Sequence, residues 1–157
     1  IQRSDGGVDG PWVGLNEVVL EKKAQGHTVR LEVTIDGSAF ATYAGDGLIV
    51  STPTGSTAYN LSARGSIVAP THSSLQLTPV APHMLFRSLV LRPDTEIRIS
   101  VVGEREANLS IDGRSVAALS DGDAMIATRA DTIARLVTSG TGGFQQVLKQ
   151  KFGLKDR

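Results

Sequence analysis

The sequence predicts a mainly β chain: a β-sandwich-like domain with a short helix after one apolar strand and a second helix near the C-terminal end. Three observations carry that expectation. Apolar and polar residues alternate with period two along several short runs, as in strands with one buried face. Turn signals, several of them Asp-Gly pairs, separate the runs at intervals of about 8–12 residues, the rhythm of a sandwich. Two stretches carry helical spacing instead.

In chain order, residues 1–11 are rich in Gly and Asp and are expected to form a loop or flexible arm. Val18-Val19-Leu20 reads as an apolar strand. Val29, Leu31, Val33 and Ile35 alternate with Arg30, Glu32 and Thr34. Asp36-Gly37 then favours a turn at positive φ and Ala39 to Tyr43 returns, which together predict a hairpin. Leu48-Ile49-Val50 is a short apolar strand. Beyond Pro53, residues Ser56 to about Ala63 read as a helix opened by small hydroxyl residues. Ile97, Ile99 and Val101 alternate with Arg98 and Ser100. Leu109 and Ile111 lead into Asp112-Gly113, and Val116 to Leu119 follows. Met125 to Ala127 and Ile133 to Val137 read as two more strands. Phe144, Val147, Leu148 and Phe152 share one helical face, with Gly142-Gly143 as a hinge before them and Gly153 as the stop.

The 157 residues, 40% of them hydrophobic, suffice for one domain with a core. Sixteen basic and sixteen acidic residues leave no formal net charge, which argues against nucleic acid as the main partner. No polybasic run and no apolar stretch of about 20 residues points to a membrane. The absence of cysteine excludes disulfide and thiol chemistry and fits a reducing, cytoplasmic setting. The N-terminus has no signal-peptide character and no starting Met, so the chain is expected to be a piece of a longer protein.

The run from Gly45 to Ser62 is the richest in chemistry. It reads as an acidic turn, an apolar strand, a Pro/Gly turn and a helix start, bringing a carboxylate, backbone N–H groups and an aromatic ring together. That combination suits a nucleotide, which offers hydroxyls, phosphates and a flat base. Asp46 is either a turn residue or an acceptor for ribose hydroxyls or an amide. Thr54, Ser56 and Thr57 either cap the helix or leave its first N–H groups free for a phosphate or carboxamide oxygen. Tyr59 is one of two tyrosines beside one tryptophan and four phenylalanines, and either packs in the core or stacks on a base. His27, His72 and His83 show no metal-ligand spacing. Ser56, His83 and Asp46 would make a hydrolase triad, but the G-x-S-x-G elbow is missing. Asp5 to Gly10 looks like a phosphate loop without the flanking strand and helix, and reads as a solvated loop. No catalytic or metal-ligating residue is assigned.

These residues resemble the C-terminal domain of the bacterial NAD kinases that use ATP or polyphosphate. The resemblance runs through Leu15-Asn16-Glu17-Val18-Val19-Leu20 and the long stretch from Asp46 to Tyr59. It continues through Leu77-Thr78-Pro79 with Pro82-His83, Leu89-Val90-Leu91, Asp112-Gly113 and the ending around Phe144, Leu148 and Lys151-Phe152-Gly153. It implies a β-sandwich-like domain over residues 12–157, following a catalytic α/β domain in the full enzyme. It implies that Asn16 and Glu17 contact ribose hydroxyls of NAD and that Asp46 meets a polar edge of the dinucleotide. Thr57, Ala58, Tyr59, Asn60, Leu61 and Ser62 would lie under the adenosine half, with Thr54 before them and Tyr59 stacked on the base. His27, Ala44, Val80 and Arg114 would line the same site. A homo-oligomer is implied, because the family completes its pockets across subunits.

Two departures stand out. Arg64 and Gly65 replace the family's usual double glycine after the helix. The family's catalytic Gly-Gly-Asp-Gly loop lies far upstream of the Asn-Glu pair, and these 157 residues contain no domain for it. The resemblance therefore implies a chain that binds NAD or NADP but is inactive alone, with ATP or polyphosphate and Mg engaged in the full-length enzyme. The alternatives are a non-catalytic dinucleotide-binding or oligomerisation module and, more remotely, a lipid-kinase relative.

Overall fold

The computed structural model describes residues 1–84, 86–135, 137 and 142–154. Ten strands and two short helices are formed among them. The strands are β1 (Glu17–Lys22), β2 (Val29–Ile35), β3 (Ser38–Gly45), β4 (Gly47–Ser51), β5 (Leu75–Val80), β6 (Leu89–Leu91), β7 (Ile97–Val101), β8 (Ala107–Ile111), β9 (Arg114–Leu119) and β10 (Ala124–Ala127). A 3₁₀ turn (Thr54–Thr57) and α1 (Tyr59–Ser62) follow β4, and α2 (Phe144–Lys151) lies near the C-terminal end. The strands form two antiparallel sheets, ordered β6-β5-β4-β1-β8-β9 and β10-β7-β2-β3.

Their inner faces make the core. Leu20, Leu48, Leu77 and Leu109 of the larger sheet meet Leu31, Val33, Ile97 and Ile99 of the smaller, all fully buried. Each such side chain contributes about 1.5–3 kcal/mol relative to exposure. The β2–β3 turn takes positive φ at Asp36 and Gly37, and the β8–β9 turn does so at Asp112 and Gly113. Both match the mirror-image turns that suit twisted hairpins.

Four details depart from expectation. Ile133 to Arg135 and Val137 belong to no strand, and Leu136 lies outside the described residues. β5 and β6, not foreseen from periodicity, extend the larger sheet. Pro79 sits within β5, yet β6 pairs only with Leu75 to Leu77, so the missing N–H faces no strand. The N-terminal residues, expected as an arm, form a small hairpin docked on β10. Gln2 pairs with Val8 and Ala124, and Asp123 holds Arg3 (2.9 Å) and the Ser4 N–H (2.9 Å).

The expected helix from Ser56 is divided. Ala58 (φ −93°, ψ −131°) separates the 3₁₀ turn from α1, and neither N-cap residue, Pro53 or Ala58, supplies a side-chain cap. At the other end, Gly153 (φ 62°) stops α2 after Phe152 in the left-handed conformation natural to glycine.

Candidate functional site

The site is built on the outer face of the larger sheet. Antiparallel register aligns three rows across β1, β4 and β5: Glu17 with Ser51 and Gln76, Val19 with Ile49 and Thr78, Glu21 with Gly47 and Val80. Val19 and Ile49 are buried although they face away from the core, because the 3₁₀ turn and α1 fold back over them.

Asn60 fixes that cover. Its Nδ2 donates to the carbonyls of Ser56 (3.0 Å) and Ser66 (3.2 Å), and its Oδ1 accepts the Thr78 hydroxyl (2.6 Å). Gly65 is required beside it, since a Cβ there would collide with the Asn60 amide. Gly55 is required for a similar reason: a Cβ would land on the Asn16 carbonyl. The strand end that carries Asn16 and Glu17 is thus packed directly against the turn before α1.

Glu17 is buried, 8% exposed, and its Oε2 has no partner among the described residues. Burial pushes its carboxyl up, the charge of Asp112 pushes it further, and the Tyr59 backbone N–H opposes the rise. Tyr59 itself is 37% exposed. Burial also pushes its phenol up, and the carboxylates of Glu21 and Asp46 add to the effect. The residue therefore reaches from the Glu17 row to the Glu21 row, with its ring presented to solvent. β4 spans about 13 Å between those rows. At the far end the Lys22 ammonium pairs with Asp46 at 2.7 Å.

The residues singled out in the sequence fall into groups. Asp46 and Val80 adjoin one another, the Asp46 N–H donating to the Val80 carbonyl at 2.9 Å. Ala44 lies two residues before Asp46 on β3, and exposed His27 precedes Val29, which pairs with Gly45. Asn16 and Glu17 occupy the opposite end of β4, with Arg114 close enough to Asp112 to act on its carboxyl. Thr54, Thr57, Ala58, Leu61 and Ser62 lie at least partly exposed around Tyr59. Asn60 is instead fully buried, its amide consumed by the tether just described.

Two readings of this stretch are corrected. The N–H groups expected to be free are engaged within the chain: Gly55 to the Thr52 hydroxyl, Ser56 to Pro53, Ala58 to Gly55 and Tyr59 to Glu17. The Ser56 hydroxyl neither caps nor attacks. It turns inward and bonds both the N–H and the carbonyl of Val68, which removes it from any triad. The Asp5–Gly10 run forms the docked hairpin's turn, with Asp5 accepting the Gly7 N–H at 2.8 Å.

Asp112, which the sequence marks as a turn residue and as part of the resemblance, does more than turn the chain. Its carboxylate accepts the N–H groups of Leu15 (2.7 Å), Asn16 (2.7 Å) and Glu17 (3.2 Å). Burial alone would push that carboxyl up, but these donors and Arg114 outweigh it and hold it below the usual range. Thr52 grips the same segment from the other side. Its hydroxyl donates to the Leu15 carbonyl (2.7 Å) and its N–H to the Asn16 carbonyl (2.9 Å). Neither role leaves a sequence signal, because the partners are far apart in the chain.

The family model for the ATP-NAD kinase C-terminal domain matches residues 15–139, which contain every one of these groups. The chain belongs to that family. It is 45% identical over 139 residues to an NAD kinase of Moorella thermoacetica, covering 87% of this chain and 45% of that one. It is 40% identical over 145 residues to the NAD kinase of Syntrophotalea carbinolica, covering 91% and 51%. It therefore spans about half the length of the curated relatives it matches. Among solved structures it resembles a yeast NADH kinase complexed with NADH (TM-score 0.69, 38% identity, 72% of this chain and 33% of that one). It also resembles an Archaeoglobus fulgidus NAD kinase in complex with ATP (TM-score 0.67, 28% identity, 75% and 46%).

Among the described residues of the domain, no three His, Asp or Glu side chains gather to hold a metal ion. No described helix is long and apolar enough to cross a membrane.

Proposed function

We propose that this chain is the NAD-binding C-terminal half of an NAD kinase. The complete enzyme would transfer a phosphoryl group from ATP or polyphosphate to the adenosine 2′-hydroxyl of NAD, giving NADP. The observation that carries this reading is the exposed Tyr59 ring, held between Glu17 at one end of β4 and Asp46 at the other. An aromatic face flanked by hydrogen-bond acceptors matches a base with ribose hydroxyls on either side.

In this reading Tyr59 stacks on the adenine, Asn16 and Glu17 meet ribose hydroxyls, and Asp46 meets a polar edge of the dinucleotide. Thr54, Thr57, Ala58, Leu61 and Ser62 border the ring, and His27, Ala44, Val80 and Arg114 line the flanks. Asn60 serves by pinning α1. Phosphoryl transfer depends mainly on positioning and charge neutralisation. The groups described here position the acceptor, and they do not fit the divalent metal such as Mg expected in the whole enzyme. We therefore read the isolated chain as inactive, with the donor and metal engaged by a separate catalytic domain. A homo-oligomer and a cytoplasmic setting belong to the same reading, the latter in keeping with a chain that has no cysteine.

Calorimetric titration of this chain with NAD and NADP tests the proposal. Saturable binding is expected, weakened about tenfold or more by Tyr59→Ala through loss of stacking, and weakened also by Asp46→Ala. Absence of saturable binding by the folded chain overturns it, and NADP production by the chain alone overturns the assignment of inactivity.

A further inference from the structure

We propose that Asp112 is a positioning residue for the dinucleotide: from the β8–β9 turn it clamps the Leu15–Asn16–Glu17 backbone and so sets where Asn16 and Glu17 present their side chains. This rests on the dinucleotide reading above.

Three successive N–H groups converging on one carboxylate form an anion cradle, here filled by the chain's own side chain. A reciprocal bond, the Asp112 N–H to the Glu17 carbonyl at 3.0 Å, closes the clamp. Ahead of β1, the chain leading into the clamped segment has little else to hold it. Trp12, Val13 and Leu15 are all exposed, so apolar burial does not fix residues 12–15, and the remaining hold comes from Thr52. Gly14 lies against the clamp, where a Cβ would meet Ile111 at 3.0 Å and the Asp112 carboxylate at 3.6 Å.

The turn and the clamp ask for different chemistry at this position. Positive φ in a turn suits Asn as well as Asp. The clamp needs two acceptor oxygens, because Oδ2 takes the Leu15 N–H while Oδ1 takes those of Asn16 and Glu17. An amide would set its NH₂ against one of those donors. Asp112→Asn therefore preserves the hairpin and damages the clamp.

The experiment is a double-variant cycle on this chain, titrating NAD into wild type, Asp112→Asn, Asn16→Ala and the double variant, with thermal melts of each. The expected result is a folded Asp112→Asn chain whose NAD affinity falls about tenfold, the worth of a lost charge-assisted hydrogen bond. In the Asn16→Ala background the same change costs much less, since Asp112 acts through that segment. Wild-type affinity in folded Asp112→Asn, or full additivity with Asn16→Ala, overturns this role alone. A wild-type chain that binds no NAD overturns the dinucleotide reading and this role with it.

Discussion

Tyr59 and Asn60 are adjacent in sequence and opposite in fate. Each step along a helix turns the next side chain by about 100°, so only one of these neighbours can face the sheet. Asn60 does, because Thr78 and two carbonyls there complete its hydrogen bonds. Asn60→Ala should cost about 2–3 kcal/mol in urea unfolding, leaving buried partners unsatisfied, and should release α1 before the sheets. The sequence placed both residues at the site without separating the one that faces a ligand from the one that holds the helix. Glu17 carries a pH signature. Burial and the neighbouring Asp112 charge push its carboxyl up, so the folded chain keeps that proton to higher pH than the unfolded chain. The stability linked to this group is greatest in acid and declines as pH rises from the ordinary value of 4.5 through the folded value. Glu17→Gln removes the decline. In ligand-free melts the variant should exceed wild type in Tm at pH 7, and the gap should close toward pH 4.

At the level of elements, the joint between β1 and the 3₁₀ turn has no slack. Gly55→Ala should force the Asn16 carbonyl aside, lowering Tm by several degrees and weakening NAD binding together. A variant with wild-type stability and affinity would show that the turn can yield. The hairpin β2–β3 was legible because one face is buried and one is not, which writes period two into Val29 to Ile35. β5 was illegible for the opposite reason. Leu75 to Pro79 are buried on both faces, the inner by the core and the outer by the α1 unit, so alternation disappears. Pro79 is tolerated there because it lies beyond the end of β6. The expected strand at Ile133 to Val137 had apolar residues, but Ile133 and Val137 lie exposed and join neither sheet.

Across the whole molecule, apolar side chains are left uncovered at both ends of the described chain. The N-terminal hairpin exposes Val8 and Trp12, and α2 exposes Val147 and Phe152 while burying no residue at all. Such patches mark interfaces. Light scattering at micromolar concentration should find dimers or larger species, and Phe152→Lys should shift them toward monomer without lowering Tm. A wild-type chain that stays monomeric would count against the proposed oligomer. The topology also has a consequence for how this domain is made. β1 carries Asn16 and Glu17, yet it lies between β4 and β8, and its pairing of Val18 with Ile111 joins positions about ninety residues apart. On a ribosome the site's first residues emerge early and then wait. Until β8 and its turn are extruded, the strand has one open edge and the Leu15–Glu17 segment has no clamp. Translation speed through that stretch therefore governs how long an unpaired strand is exposed to chaperones and to other nascent chains.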